Sequence, residues 1–262
     1  MAQSNGTRAA VLLHVTDSHL YAAPDARMRG VNTQASFVAV LDHARGDRRW
    51  PPDGIVVTGD IVQDESRAGY ARFRKTLQVF DGPVLCIPGN HDDPALMNAL
   101  LMTPPFQVGG HAKLGAWRVL LLDTSRRGDD GGALGPRGLA ALEGSLKRFA
   151  DEHILICMHH HPLPMGSGWL DRIGLRDAAQ FLRTIDRHDA VRGVVWGHVH
   201  QASDRARNQV RFLSTPSTCS QFLPASDSFA LDERPPGLRW LELEPDGRIT
   251  TEVGWISPPD HA

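Results

Sequence analysis

The chain has 262 residues, 41% of them hydrophobic, with a formal net charge of −2 and a pI near 6.7. That length and apolar content fit one sizeable core, so a single domain over residues 1–262 is expected, with a short polar stretch at 1–8 and a loose tail at 258–262. The charge gives no support for a surface that coats nucleic acid, no apolar stretch approaches the ~20 residues that span a bilayer, and Met1 to Arg8 lack the apolar core of a secretory signal.

Cys86, Cys157 and Cys219 form no CxxC pair, so no disulfide framework is expected and the cytoplasm is the expected compartment. The densest basic run, Arg45 to Arg49, reads as a solvated helix end and loop.

Val11 to Val15 is a short apolar run that ends at Thr16-Asp17 and reads as a buried strand. A helix is expected from Thr33 to about Ala44, with Phe37, Val40 and Leu41 at helical spacing and Asn32 or Thr33 as its cap. Ile55 to Thr58 is the next strand, closed by Gly59-Asp60, and Ser66 to Phe80 reads as a helix with Tyr70, Phe73, Leu77 and Phe80 along one face. Val84 to Ile87 is a third strand, and Asp93-Pro94 opens a helix with proline in a permitted first-turn position. Trp117 to Leu122 (strand), Gly138 to Asp151 (helix), Ile154 to Met158 (strand), a helix near Leu175 to Arg187 and Gly193 to Trp196 (strand) follow. Val210 to Ser214, Leu238 to Glu244 and Ile249 to Trp255 read as antiparallel strands, with turns at Pro235-Pro236-Gly237 and Asp246-Gly247. The order of elements implies an α/β fold with a mainly parallel sheet covered by helices, and ligands in such sheets bind beyond the carboxyl ends of the strands.

Five polar motifs fall at those ends: Asp17-Ser18-His19, Gly59-Asp60, Gly89-Asn90-His91-Asp92, His159-His160-His161 and Gly197-His198-Val199-His200. They offer the carboxylates, imidazoles and carboxamide that two adjacent cations need in order to activate water, which points to phosphoester hydrolysis. In an extended segment residues i and i+2 point the same way, so Asp17 and His19 can reach one metal together, and His198 and His200 can do likewise from the far side. Asp60 follows a turn-permitting glycine and has two oxygens with which to bridge two cations. Asn90 supplies a neutral oxygen, and His91, facing another way, is a candidate for proton transfer rather than ligation. Asp-x-His and Gly-Asp arise often by chance, so the conjunction of motifs, each behind a strand, carries the reading. His14 reads as a core histidine, and His43, His111, His153, His188 and His261 as surface or capping residues.

The set D-x-H, G-D, G-N-H-[DE], H and G-H-x-H resembles the calcineurin-like metallophosphoesterase superfamily over roughly Val11 to His200. Gly30-Val31-Asn32-Thr33, the run from His159 to Pro164, Trp169-Leu170-Asp171, Ser214 to Cys219 and Leu241-Glu242-Leu243 are similar to the bacterial class III 3′,5′-cyclic-AMP phosphodiesterases. The resemblance implies an α/β/β/α sandwich, with a mainly parallel sheet and a second sheet holding the antiparallel C-terminal strands. It implies a first metal on Asp17, His19, Asp60 and His200, and a second on Asp60, Asn90, His159 and His198. Iron with manganese is the implied pair, with zinc as an alternative. His159 is selected from the triplet by gapless alignment on the family's H-H-P-P form; His161 stands where many relatives carry proline, and the role of His160 stays open.

The implied substrate contacts are His19, Asp60, Asn90, His91 and His200. The implied reaction is hydrolysis of cyclic AMP to 5′-AMP by a metal-bridging hydroxide, with His91 stabilising the phosphoryl charge or protonating the leaving 3′-oxygen. The loop from Met165 to Asp171 and the Thr215 to Gln221 segment are expected near the site, as ribose or base contacts or as plain lids. The expected partner is thus a small cyclic nucleotide, with no nucleic acid and no membrane, while the oligomeric state stays open. A broader phosphodiesterase or a nucleotide phosphomonoesterase shares the same motifs. A non-catalytic scaffold should have lost ligands, and none is missing.

Overall fold

Residues along the central strands are buried on both faces in alternation, which requires a packed layer on each side of each sheet. The computed structural model describes residues 8–256; the loose tail, and the polar stretch apart from Arg8, lie outside them. In chain order the principal elements are β1 (Ala10–Val15), α1 (Thr33–Arg45), β2 (Gly54–Val57), α2 (Arg67–Leu77), β3 (Val84–Cys86), α3 (Pro94–Leu101), β4 (Phe106–Val108), β5 (Gly110–Leu114) and β6 (Trp117–Leu121). They continue with α4 (Gly135–Arg148), β7 (His153–Met158), α5 (Ala178–Ile185), β8 (Val191–Trp196), β9 (Ser203–Arg207), β10 (Val210–Ser214), β11 (Gly237–Leu243) and β12 (Ile249–Trp255).

Two six-stranded sheets result, ordered β12-β11-β1-β2-β3-β4 and β9-β10-β8-β7-β6-β5. Strands β1 to β4 run parallel, as do β6, β7, β8 and β10. The antiparallel strands lie at the margins and are shared between the sheets: β11 and β12 extend the first beside β1, while β9 and β5 edge the second. The run read as an antiparallel strand at Val210 to Ser214 is antiparallel to β9 on one side and parallel to β8 on the other. The chain reverses at β9 and again into β10, which inserts between β9 and β8.

The alternation sorts side chains into three cores. Leu13, Val15, Ile55, Val57, Val84 and Cys86 pack outward under α1 to α3. Leu12, Val56, Leu85, Val119, Leu155, Val195 and Leu213 fill the space between the sheets. Ile154, Ile156, Met158, Val194 and Trp196 pack outward under α4 and α5. The layers are therefore α/β/β/α.

Helix starts follow local chemistry where the cap is local. Asn32 accepts from the Ala35 amide, Ser66 from Gly69, and Asp93 from Ala95 and Leu96 ahead of Pro94. Helix α4 starts three residues before the expected Gly138, because Asp177, distant in sequence, accepts from the Leu134 and Gly135 amides. Helix α5 starts later than Leu175 for a related reason: the Leu175 amide is committed to the His161 carbonyl and Asp177 to α4. Arg49 departs from the solvated-loop expectation. Its side chain is 8% exposed, paired with Asp47 and Glu252 and stacked over Trp240. All three cysteines are free and buried, and among the described residues no helix is long and apolar enough to cross a membrane.

Candidate metal centre

The five motifs follow β1, β2, β3, β7 and β8, and their side chains converge where the ends of the two sheets meet. Two glycines permit the approach. Gly59 has φ +96°, and a Cβ there would sit 2.5 Å from the Gly89 nitrogen and 2.7 Å from His159 Nδ1. At Gly197 a Cβ would meet Thr16 Oγ1 at 2.1 Å and Asp17 Oδ2 at 2.6 Å. Asp17, His19, Asp60, His198 and His200 all adopt positive φ, between 45° and 66°. This sparsely populated backbone is held in place by the sheets beneath it and turns each side chain inward.

One group of atoms contains Asp17, His19 and His200. His19 Nε2 and His200 Nε2 are 3.1 Å apart, and His200 Nε2 is 3.4 Å from Asp17 Oδ1. Asp60 Oδ2 lies 3.8 Å from His19 Nε2 and 3.4 Å from His159 Nε2, so it stands between this group and a second. In the second, Asn90 Oδ1 is 3.1 Å from both His159 Nε2 and His198 Nδ1. All seven residues named from the sequence as ligands are thereby brought together.

The far nitrogens fix the tautomers. His159 Nδ1 donates to the Thr58 carbonyl at 2.6 Å, His200 Nδ1 to Ser220 at 2.7 Å and His198 Nε2 to Ile173 at 3.1 Å. In the neutral imidazole this leaves a lone pair on each inner nitrogen, facing carboxylate or carboxamide oxygens that are also acceptors. Acceptors converging on acceptors inside a buried pocket is an arrangement that cations relieve, and the mixed N/O donor set fits them.

Protonation follows burial and neighbours. Burial opposes ionisation of Asp17 and Asp60, but the imidazoles of His200 beside the former and of His159 and His19 beside the latter hold both below the ordinary carboxylate range. Burial keeps His19 neutral, down to about 4, and with His160 and His159 alongside it holds His198 well below its ordinary value. His159 is the exception: burial lowers it, yet contact with Asp60 lifts it to about 9.

The rest of the triplet turns away from Asp60. His160 Nδ1 lies 2.7 Å from Thr124 Oγ1, and its ring packs against those of His159 and His198. His161 lies beside Asp171 and stacks on His198. His14 is a core histidine between Thr58 and Thr215, at 2.8 and 2.6 Å. His43 is exposed, and His111, His153 and His188 are half-buried; His261 lies outside the described residues.

His91 is half-buried and lines a cleft of about 390 Å³ together with His19, His200, Gln63, Phe222 and the segment from Arg27 to Arg29. A second cleft, about 370 Å³, opens beyond Asn90 toward Asp123, Arg126 and Arg127. Of the residues read as substrate contacts, His19, His91 and His200 face the first cleft, Asn90 faces the second and Asp60 is buried beneath both. Residues 215–221 lie beside the site as expected, but the reading of them as ribose or base contacts or as a plain lid is corrected. Thr215, Ser217, Thr218, Cys219 and Gln221 are buried, and the segment backs the site, Ser217 Oγ donating to the Asp17 carbonyl. Met165 and Leu170 are likewise buried in the outer core, and the residues that line the cleft come instead from 27–29 and Phe222. Two contributions were given no role by the sequence, one from outside the motifs and one from Asp92 at the end of the third. Gln63 Nε2 lies 3.1 Å from His91 Nδ1, and the Asp92 carboxylate accepts from the Gly89, Ile61 and Val62 amides and the Tyr70 hydroxyl.

Comparison with known proteins gives a consistent result. Residues 10–202 match the calcineurin-like phosphoesterase family. The chain is 40% identical over 243 residues to the 3′,5′-cyclic adenosine monophosphate phosphodiesterase CpdA of Vibrio vulnificus, covering 92% of this chain and 88% of that protein. It is 39% identical over 252 residues to the Pseudomonas aeruginosa protein of the same name, covering 95% and 92%. A dimetal phosphatase from Danio rerio shares the fold, with a TM-score of 0.65 at 16% identity over 95% of this chain and 100% of that chain.

Proposed function

The chain belongs to the calcineurin-like phosphoesterase family, and on that footing we propose that it hydrolyses 3′,5′-cyclic AMP to 5′-AMP at a pair of metal ions. The observation that carries the reading is that His159, His198 and His200 have their outer nitrogens satisfied and turn their inner nitrogens toward Asp60, Asn90 and Asp17, in a chain 40% identical to a cyclic AMP phosphodiesterase over 92% of its length. Asp17, His19, Asp60 and His200 would hold one cation, and Asp60, Asn90, His159 and His198 the other. Iron with manganese is the pair we infer, and zinc suits the same donors. Bound there, the two ions supply Lewis acidity toward the phosphoryl oxygens and an activated water.

The chain's own residues do the rest. Asp60 divides the negative charge between the two positions. The carbonyls of Thr58, Ser220 and Ile173 hold three imidazoles in the orientation that presents the inner nitrogen. His91 lies at the edge of the ligand cluster, its ring centroid 5.3 Å from that of His19, and lines the cleft with it, where it is placed to donate a proton to the leaving 3′-oxygen. Each proposed ligand set draws on both sheets, which supports reading the chain as one domain. The three buried free thiols suit a reducing cytoplasm.

The test is product analysis of the manganese- and iron-loaded protein with cyclic AMP beside an aryl phosphodiester. Clean formation of 5′-AMP supports the assignment. Hydrolysis of the aryl diester alone moves the substrate to another diester of the same chemistry, the second reading left by the motifs.

A further inference from the structure

In a 3′,5′-cyclic diester the leaving 3′-oxygen stays attached to the ribose after its bond to phosphorus breaks. Ribose and base must therefore lie on the side of the site that delivers the proton. Two clefts of similar size flank the ligand cluster, and His91 lines only the first.

Their linings differ in chemistry. The first presents the side chains of Tyr21, Met28 and Phe222 together with Arg29. The second carries Glu65, Asp93, Asp123 and two arginines, and has no aromatic side chain in its lining. A nucleobase is recognised by a flat apolar face plus donors at its rim, which the first cleft has and the second lacks.

The first cleft is also built rather than incidental. Arg27-Met28 pairs antiparallel with Val31-Asn32 across a turn in which Arg29 and Gly30 both have positive φ, 52° and 86°. Asn32 then caps α1, so the hairpin is fixed to a helix of the core. Arg27 donates to the Gly30 carbonyl and is occupied in holding the turn. The Arg29 guanidinium lies over the Phe229 ring at 4.7 Å. Phe222 stacks on His200 with 4.0 Å between centroids, and Trp169 and Phe229 brace its edges at 5.2 and 5.3 Å. An aromatic wall thus runs from a proposed metal ligand to the hairpin.

We propose that the cleft formed by the 27–32 hairpin, Tyr21 and Phe222 is the nucleoside subsite, and that Met28 and Arg29 set selectivity for a nucleoside phosphate over other diesters. The proposal rests on the assignment of His91 as the proton donor.

The test compares wild type with the double variants Met28→Ala/Arg29→Ala and Arg126→Ala/Arg127→Ala, and with Tyr21→Leu as an independent probe of the same cleft. Three quantities are read: kcat/KM for cyclic AMP, kcat/KM for bis(4-nitrophenyl) phosphate, and the Ki of 5′-AMP against the aryl diester. Bound metal and Tm confirm that each variant is folded. Removing the hairpin contacts should lower the cyclic AMP to aryl diester ratio about tenfold or more, mainly through KM, and raise the Ki of 5′-AMP by a similar factor. Ratios and Ki within about twofold of wild type for the hairpin and Tyr21 variants, or the shift appearing in the Arg126/Arg127 variant instead, would overturn the assignment. If wild type leaves cyclic AMP intact while inhibition by 5′-AMP still depends on the hairpin, the cyclic AMP reading fails and the subsite stands. If cyclic AMP is opened and the hairpin and Tyr21 variants behave as wild type, the subsite fails and the reading stands. No turnover of cyclic AMP together with no inhibition by 5′-AMP would refute both.

Discussion

The His91 amide donates to Asp60 Oδ1 at 2.9 Å, which leaves Asp60 Oδ2 to face His159 and His19. One carboxylate thereby both separates the two candidate cation positions and fixes the loop that carries the proposed acid. Asp60→Asn keeps the size but gives up the charge and one acceptor. Metal per chain, read by inductively coupled plasma mass spectrometry, should fall from about two to one or fewer, and kcat by roughly 10²–10³-fold. Full loading and full rate in this variant would remove Asp60 from its bridging role.

Asn90→Ala and His91→Ala separate ligation from proton transfer although the residues are adjacent. Asn90→Ala should lose metal from the second position and suppress turnover while remaining folded. His91→Ala should retain metal and lose about 10²–10⁴-fold in rate on cyclic AMP. The loss should be smaller on an aryl diester, whose phenolate departs without a proton. An equal loss on both substrates would assign His91 to charge stabilisation alone.

Gly59→Ala places a methyl group against the Gly89 nitrogen and His159 Nδ1, at a φ of +96°. The Thr58 and Gly89 loops must separate, so a stability loss of about 1–3 kcal/mol in urea unfolding is expected, together with weaker metal retention. Unaltered metal affinity would show that the two loops have more slack than their spacing implies.

His14 offers a pH dependence independent of metal loading. Thr58 Oγ1 donates to Thr16 and so accepts from His14 Nε2, while Nδ1 accepts from Thr215, which leaves the ring neutral. Burial, with Arg239 nearby, lowers its pKa to about 3. The folded state then binds fewer protons than the unfolded state below the ordinary value of 6.5, so this contribution is complete above 6.5 and declines as pH falls toward 3. In chelator-treated protein, unfolding free energy should fall between pH 6.5 and 5.5 by about 1 kcal/mol more in wild type than in His14→Gln. Identical slopes would mean that His14 titrates normally in the native state.

The central strands were legible because parallel strands buried on both faces read as continuous or nearly continuous apolar runs, as Ile154 to Met158 and, interrupted only by His14, Val11 to Val15 do. Strands β4, β5 and β9 were not, because they lie at sheet edges and two of them carry exposed, polar residues with no alternation to detect, as in Ser203–Arg207. Helices with local caps were placed to within a few residues, whereas the start of α4 depends on Asp177, more than forty positions away. All seven candidate ligands were visible because chemistry fixes their residue types and strand ends fix their place. The cleft was not: Met28, Arg29 and Phe222 are ordinary residues that come to line one cleft with His200 only when the chain is folded. Gln63 carries no sequence signal for the same reason, since its partner His91 is remote in sequence and no motif joins them.

Each proposed ligand set takes residues from both sheets: Asp17, His19 and Asp60 with His200, and Asp60 and Asn90 with His159 and His198. A bound cation would therefore act as a cross-tie between the two halves of the sandwich. Tight coordination must then come late in folding, after the sheets have docked, and a chain with only its first half structured would scavenge little metal. Loading would become a report that assembly is finished, and bound cations would lock the two sheets against sliding apart.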